Sequence, residues 1–446
     1  MSSVKEPVMH RFGNGLTVLI KEDKSHPVVS LQYWVGTGSM NEGHLQGSGI
    51  SHLLEHLVFK GTENYSGQDL ARKVQERGGH WNAYTSVNRT VFYIDGPAES
   101  WQVFLNLLTE LVFSPTFPEG ELEREKEVVR REMAMYADEP DSVAYQLLMQ
   151  TLYLKHPRRW PVLGQPAVFD TLTREDVLEY HASRYVPNNV VLSIAGDVDA
   201  REVLSHLELL VEDLKARPLN REPLPHEPHQ FGSRTVRKEF AVPYSKLSLA
   251  WRLPCSAHPD TPALSALASI LGGGRSARFY EKFHDRLGLV YSIEVHSNQS
   301  ESDEGAFTIT MDVDRAQRDK VRDLVLQELR DLEREDFTED LKRVCKQTRV
   351  SRLSRKSSAS GMASEMGADW FGARNLNLSS EWQEAIERVT SEDLHRVCAG
   401  WLSSPNVTEV SLDPLGSNAE EVPSGSEKTD TVLSELSLIH ISEPTR

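Results

Sequence analysis

The sequence predicts an α+β protein made of two copies of one unit, each a mostly antiparallel sheet with helices packed on it. Three observations carry this. A chain of 446 residues is too long for one ordinary hydrophobic core. Short apolar runs of strand length alternate with longer stretches in which apolar residues recur every three or four positions. One pattern also occurs twice. Thr173, Glu175 and Asp176 open a helical stretch that leads to Pro187, Asn188 and the apolar run 190–195. Thr390, Glu392 and Asp393, 217 positions on, open another that leads to Pro405, Asn406 and the run 407–412.

In the first copy, residues 16–20 and 28–35 read as strands, and residues 91–95 and 190–195 add two more. Residues 50–59, 68–77, 100–113 and 119–136 carry helical periodicity. Grouped helices beside hairpin-like strands pack as a layer on a sheet. In the second copy, residues 262–271 (PALSALASIL) match the early helix of the first. Residues 216–233 (ARPLNREPLPHEPHQFGS) are Pro-rich and polar, as an interdomain linker would be. The units are therefore expected at 1–215 and 234–415. Beyond them, residues 416–430 read as a flexible linker, and residues 436–446 (LSLIHISEPTR) are similar to the in-frame translation of a transposase adapter used in sequencing libraries. Residues 416–446 are accordingly left out of the fold, and the natural chain is expected to continue.

A formal net charge of −17 argues against a nucleic-acid partner, which needs clustered Lys and Arg. Cys255, Cys345 and Cys398 are far apart and form no CxxC pair, so they read as reduced thiols. No run approaches the roughly 18 apolar residues of a membrane span, and residues 1–12 lack the apolar core of a secretory signal. The expected location is the cytoplasm.

The clearest chemistry is His52-Leu53-Leu54-Glu55-His56 on the early helix. Ser48 or Ser51 is placed to cap its start and Gly61 to end it. At 100° per residue, His52, Glu55 and His56 project from one face, where two imidazoles one turn apart can hold one zinc ion. This order of residues is the inverted zinc-peptidase motif. Zinc in such a site takes three protein ligands and keeps a position for water, whose proton a nearby carboxylate accepts. Glu55 is placed for the proton, and a third ligand must come from elsewhere.

Residues 121–136 (ELEREKEVVRREMAMY) offer it. Leu122, Val128, Val129 and Met133 mark a buried stripe, and Glu125 and Glu132, two turns apart, share one face. One can ligate the metal while the other supports it.

These residues resemble the pattern of the pitrilysin and insulinase family of zinc metallopeptidases, and the length and two-unit layout look most like its mitochondrial processing peptidase branch. The resemblance covers nearly the whole body of the chain. The family's ligand glutamate stands some 76 residues past the second histidine, which is Glu132 here, and Glu125 falls on the family's supporting acidic position. Residues 78–85 (GGHWNAYT) are similar to a family segment whose edge strand docks extended peptide by β-augmentation, which implies that Asn82 and Ala83 touch substrate. Pro187-Asn188-Asn189 and Gly196-Asp197 fit the family's domain-end signature.

In the second unit, residues 272–278 (GGGRSAR) and 288–291 (GLVY) resemble the family's substrate-binding region. There an Arg seven residues before the Tyr acts with it to bind substrate and stabilise the oxyanion. Tyr291 matches, but His284 stands where the Arg belongs. The resemblance thus gives Tyr291 the developing charge on the carbonyl oxygen. It leaves the arginine role to His284, Arg286 or Arg278, or to a half of the molecule beyond this sequence.

The resemblance implies a clamshell of the LuxS/MPP-like metallohydrolase fold. It implies one Zn2+ per chain, because the second unit has no ligand set, and substrates that are peptides or unfolded polypeptide. The expected activity is that of a zinc metalloendopeptidase with Glu55 as general base. The alternative is a non-catalytic or partner-dependent substrate-binding subunit of a processing-peptidase-like complex, working as a homodimer or with a second subunit. A zinc hydrolase of small non-peptide substrates would need a closed pocket in place of a strand edge.

Overall fold

In the run Val28–Val35 (VVSLQYWV), successive side chains point to opposite faces of a strand. Val29, Leu31, Tyr33 and Val35 join the main core of the first unit, while Ser30, Gln32 and Trp34 face the other way and are buried as well. A strand buried on both faces needs cover on both, and the chain supplies it from two different units.

The computed structural model describes residues 6–220, 223–299, 304–402 and 405–416. Strands β1 (Val8–Arg11), β2 (Thr17–Glu22), β3 (Val28–Val35), β4 (His80–Thr85), β5 (Thr90–Pro97) and β6 (Val190–Gly196) form one sheet in the order β1-β2-β6-β3-β5-β4. Helices α1 (Ile50–Val58), α2 (Gly67–Gln75), α3 (Trp101–Phe113) and α4 (Glu121–Asp138) contribute side chains to its inner core. Strands β7 (Arg234–Phe240), β8 (Ser245–Leu253), β9 (Ser292–Asn298), β10 (Gly305–Val313) and β11 (Thr408–Pro414) form the second sheet, in the order β7-β11-β8-β10-β9.

The sequence repeat is a repeat of wiring. Helices Arg174–Arg184 and Ser391–Val397 each open on a capping box, Thr173 with Asp176 and Thr390 with Asp393. Each leads into a late strand that inserts mid-sheet. β6 lies parallel to β2 and antiparallel to β3, and β11 lies parallel to β7 and antiparallel to β8. In both units the mixed sheet is mostly antiparallel.

The units also exchange helices. Helix α5 (Pro140–Leu152) belongs to the first unit by sequence but lies on the second sheet, where Leu148, Met149, Leu152 and the following Tyr153 pack with Ala250, Ala306 and Val410. The Tyr153 hydroxyl donates to the Gly305 carbonyl at 3.0 Å. In return, the helix Ala359–Ala373 lies on the first sheet, with Ala363 and Met366 against Leu19, Trp34 and Val191. Gln32 Nε2 donates to the Ser360 carbonyl at 3.1 Å and Ser193 Oγ to that of Ala363 at 2.7 Å. A Cβ at Gly367 would lie 2.3 Å from Trp34 Cε2, so this approach needs glycine. Each large apolar side chain buried here stabilises by ~1.5–3 kcal/mol, which ties the units together through their cores.

The described residues between Val211 and Arg234 form neither helix nor strand. They are nonetheless pinned, because the Glu227 carboxylate accepts the N–H groups of Leu154, Lys155 and His156. On α4 the predicted apolar stripe needs correction. Val129 and Met133 are buried, but Val128 is exposed and Leu122 half-buried, because Glu125 and Lys126 occupy the inward face. The three cysteines are free, and among the described residues no helix is long and apolar enough to cross a membrane. Apart from Gly416, the linker and adapter-like segment assigned to residues 416–446 lie outside the described residues.

Candidate metal centre

Helix α1 begins after Gly49, whose φ of +73° and tight packing, with Leu163 O only 2.1 Å from any added Cβ, suit glycine alone. The serine cap expected from sequence is corrected here. Ser48 Oγ accepts only the Ile50 N–H at 3.2 Å, and the Ser51 hydroxyl pairs with that of Tyr180 at 2.8 Å. The N–H groups of Gly49 and Ser51 are taken instead by the buried carboxylate of Glu42, at 3.3 and 3.1 Å. Burial pushes Glu42 up to about 8. The helix ends at Val58, one residue short of the predicted bound, and Gly61 follows in a short bridge to Ser66.

From this anchored helix His52 and His56 project side by side, ring centroids 4.7 Å apart. Glu132 on α4 faces both, with its Oε2 3.8 Å from each Nε2. The His52, His56 and Glu132 donor atoms all lie within 4.8 Å of one another. These separations are too long for hydrogen bonds. The 3.8 Å pairs suit donors that share one ion at bond lengths of about 2.0–2.2 Å. Two imidazoles and a carboxylate form a donor set that suits zinc. Burial, reinforced by His56, holds His52 well below the usual imidazole range, so its ring is neutral and able to ligate. His52 Nδ1 is buried and has no hydrogen-bond partner, so packing holds that ring.

His56 is held differently. Its Nδ1 is 3.3 Å from Glu125 Oε2, and Lys60 Nζ is 2.7 Å from Glu125 Oε1. Burial opposes the His56 cation, but the bond to Glu125 and the charges of Glu55 and Glu132 outweigh it and raise His56. Burial would likewise raise Glu125, yet His56 and Lys60 hold it below the usual carboxylate range. Burial raises Glu132.

Glu55, between the histidines, accepts a 2.6 Å hydrogen bond from Thr85 Oγ1. Burial pushes it up to about 7 against that bond. Thr85 ends β4, the free edge of the first sheet, which also carries Asn82 and Ala83. The Asn82 side-chain oxygen accepts the Ala83 N–H at 2.9 Å. Trp81, on the same face as Thr85, meets Phe59 edge to face at 4.8 Å.

The second-unit candidates lie apart. Tyr291 precedes β9, the outer strand of its sheet, is 56% exposed and donates to Asp314 Oδ1 at 2.9 Å. His284 stacks on Tyr280 at 4.3 Å and pairs with Asp285, and Arg286 is exposed and paired with Glu281. Arg278 is unsuited to substrate, because its guanidinium is spent on Asp340, Glu335 and the Asp336 carbonyl. Among the described residues, no hydrogen bond, ion pair or ring contact joins Tyr291, His284 or Arg286 to the His52–His56–Glu132 cluster.

Comparison with known proteins bears on this arrangement directly. The model of the insulinase family (peptidase family M16) matches residues 17–165, and that of the peptidase M16 inactive domain matches residues 171–347. The chain belongs to peptidase family M16. An uncharacterized zinc protease of Rickettsia felis is 27% identical over 391 residues, covering 85% of this chain and 91% of its own length. Zinc protease PqqE of Helicobacter pylori is 27% identical over 407 residues, covering 90% and 91%. The crystal structure of a protease from Helicobacter pylori matches with a TM-score of 0.84 at 26% identity, covering 92% of this chain and 100% of that one. That of a peptidase M16 inactive domain from Pseudomonas fluorescens, at 20% identity, shares the fold with the same TM-score over 93% and 99%.

Within this M16 chain, the first family model covers α1 and α4 and therefore every member of the metal cluster. The inactive-domain model begins at residue 171, ahead of the unit boundary expected from sequence. Three residues that bear on the site were not singled out by sequence. Glu42 carried no signal, because Ser48 and Ser51 stand closer to the helix start as capping candidates. Lys60 stands four positions past His56, just beyond the end of α1. Thr85 was read only as part of the edge segment.

Proposed function

We propose that this M16 chain is a zinc-dependent metalloendopeptidase that cuts peptides or unfolded segments, with one zinc ion held by His52, His56 and Glu132. The observation that carries the reading is the convergence of those three donor atoms beside the buried Glu55, at the end of a free strand edge. When bound, the ion would polarise the scissile carbonyl and acidify water. Glu55, steadied through one oxygen by Thr85, takes a proton from the attacking water and returns it to the leaving amine; a base near neutrality suits that exchange.

The free side of β4 offers backbone donors and acceptors to an extended substrate, with Asn82 and Ala83 along it. Tyr291, at the outer strand of the second sheet, is assigned the charge that develops on the carbonyl oxygen. Residues 1–215 then act as the catalytic unit and 234–415 as the substrate-binding unit, in the manner of the processing-peptidase branch. One observation favours a partner-dependent form of the same activity. Arg278 is tied in ion pairs, His284 is stacked on Tyr280 and Arg286 is paired with Glu281, so among the described residues each of the three candidates for the arginine role is already engaged.

Hydrolysis of a quenched fluorescent peptide library by the zinc-loaded chain, with and without chelator, tests the reading. Cleavage that chelator abolishes and zinc restores is the expected result. Cleavage indifferent to chelator would refute the reading. Zinc bound at one equivalent without cleavage would transfer the activity to the partner-dependent form.

A further inference from the structure

We infer that Lys60 is a positioning residue of the metal centre: its ammonium clamps Glu125 against His56 and thereby fixes the imidazole aimed at the metal. The inference rests on the proposed zinc site and goes beyond it, to how one of its ligands is held.

Lys60 lies just past the end of α1, and its Nζ is 2.7 Å from Glu125 Oε1, while Glu125 Oε2 is 3.3 Å from His56 Nδ1. Both oxygens of a buried carboxylate are therefore engaged, one by a cation and one by the ring whose Nε2 faces Glu132. A carboxylate held at one oxygen only can rotate and release its partner. A carboxylate held at both has a fixed plane and so fixes the ring plane of His56.

The clamp also settles a choice that spacing leaves open. Glu125 and Glu132 lie two turns apart on one face of α4, and either could ligate. Lys60 engages Glu125 on the side of His56 away from Nε2, which leaves Glu132 as the glutamate on the metal side. Three carboxylates, Glu55, Glu125 and Glu132, crowd the centre, and Lys60 pairs a cation with Glu125, where an unpaired buried charge would be costly. Lys60 is itself 31% exposed at the side chain, so an apolar replacement leaves no cavity.

The test is zinc affinity of the full chain, measured by competition with a chromophoric chelator, for wild type, Lys60→Met, Lys60→Arg, Glu125→Gln and the Lys60→Met/Glu125→Gln pair. Losing a partner of this kind weakens metal binding by about tenfold, and Lys60→Arg restores most of it. Because Lys60 acts through Glu125, Lys60→Met adds no further loss in the Glu125→Gln background. Lys60→Met with wild-type affinity, or with an equal loss in both backgrounds, overturns the inference alone. A wild-type chain that takes up no zinc overturns the site and the inference with it. Circular dichroism and urea unfolding of the zinc-free proteins report folding, and Lys60→Gln replaces Lys60→Met with the same criteria if the latter misfolds.

Discussion

The hydroxyl of Thr85 donates a 2.6 Å hydrogen bond to one carboxylate oxygen of Glu55. Thr85 closes the free edge strand and Glu55 stands between the two histidines of α1, so the edge where a substrate strand would lie and the base that would act on it are one connected piece. Thr85→Val removes the donor and keeps the shape. Its kcat on a quenched peptide should fall by about tenfold or more while KM and zinc affinity stay near wild type. An unchanged kcat would show that Glu55 needs no such support.

Zinc should stabilise the folded chain, since a ligand that binds only the native state adds about 2.7 kcal/mol at a hundredfold excess over Kd. Thermal unfolding with and without zinc checks this. Tm should rise in wild type and not in His52→Ala; a rise of equal size in both would place the metal elsewhere.

Glu42 makes stability depend on pH in a defined direction. Its folded pKa of about 8 is raised by burial above the ordinary 4.5, so its contribution is fully present below 4.5 and is lost as pH rises through about 8. Urea midpoints of the zinc-free chain should fall between pH 5 and 8.5, and Glu42→Gln should flatten that fall. Parallel curves for the two proteins would contradict the assignment.

Gly367 sets the contact between the exchanged helix and Trp34. Gly367→Val should destabilise by ~1–3 kcal/mol, read as a lower urea midpoint, because a Cβ has 2.3 Å to the indole and the sheet behind it is packed. A midpoint equal to wild type would mean that the helix is only loosely seated.

The sequence patterns made much of this legible and left the rest unreadable for physical reasons. Strand Val28–Val35 and helix α1 are readable because apolar periodicity is local, and Glu125 and Glu132 because they share one face of a helix, the choice of Glu132 as ligand resting on the family resemblance. The exchange of α5 and the helix Ala359–Ala373 was not readable, because periodicity says that a helix has an apolar face but not which sheet it covers. Glu42 and Lys60 escaped for a related reason. Each is a charge among many until the fold buries the group it serves. His284 departs from the family pattern in the sequence itself, whereas its stacking on Tyr280 is a tertiary fact.

The central claim is that Glu55 is the base beside a zinc ion held by His52, His56 and Glu132. The most direct measurement is zinc content and peptide hydrolysis of wild type and Glu55→Gln prepared together. The account predicts one zinc per chain in both and hydrolysis lower by about a hundredfold or more in Glu55→Gln. Glu55→Gln that binds zinc and hydrolyses at the wild-type rate would contradict it.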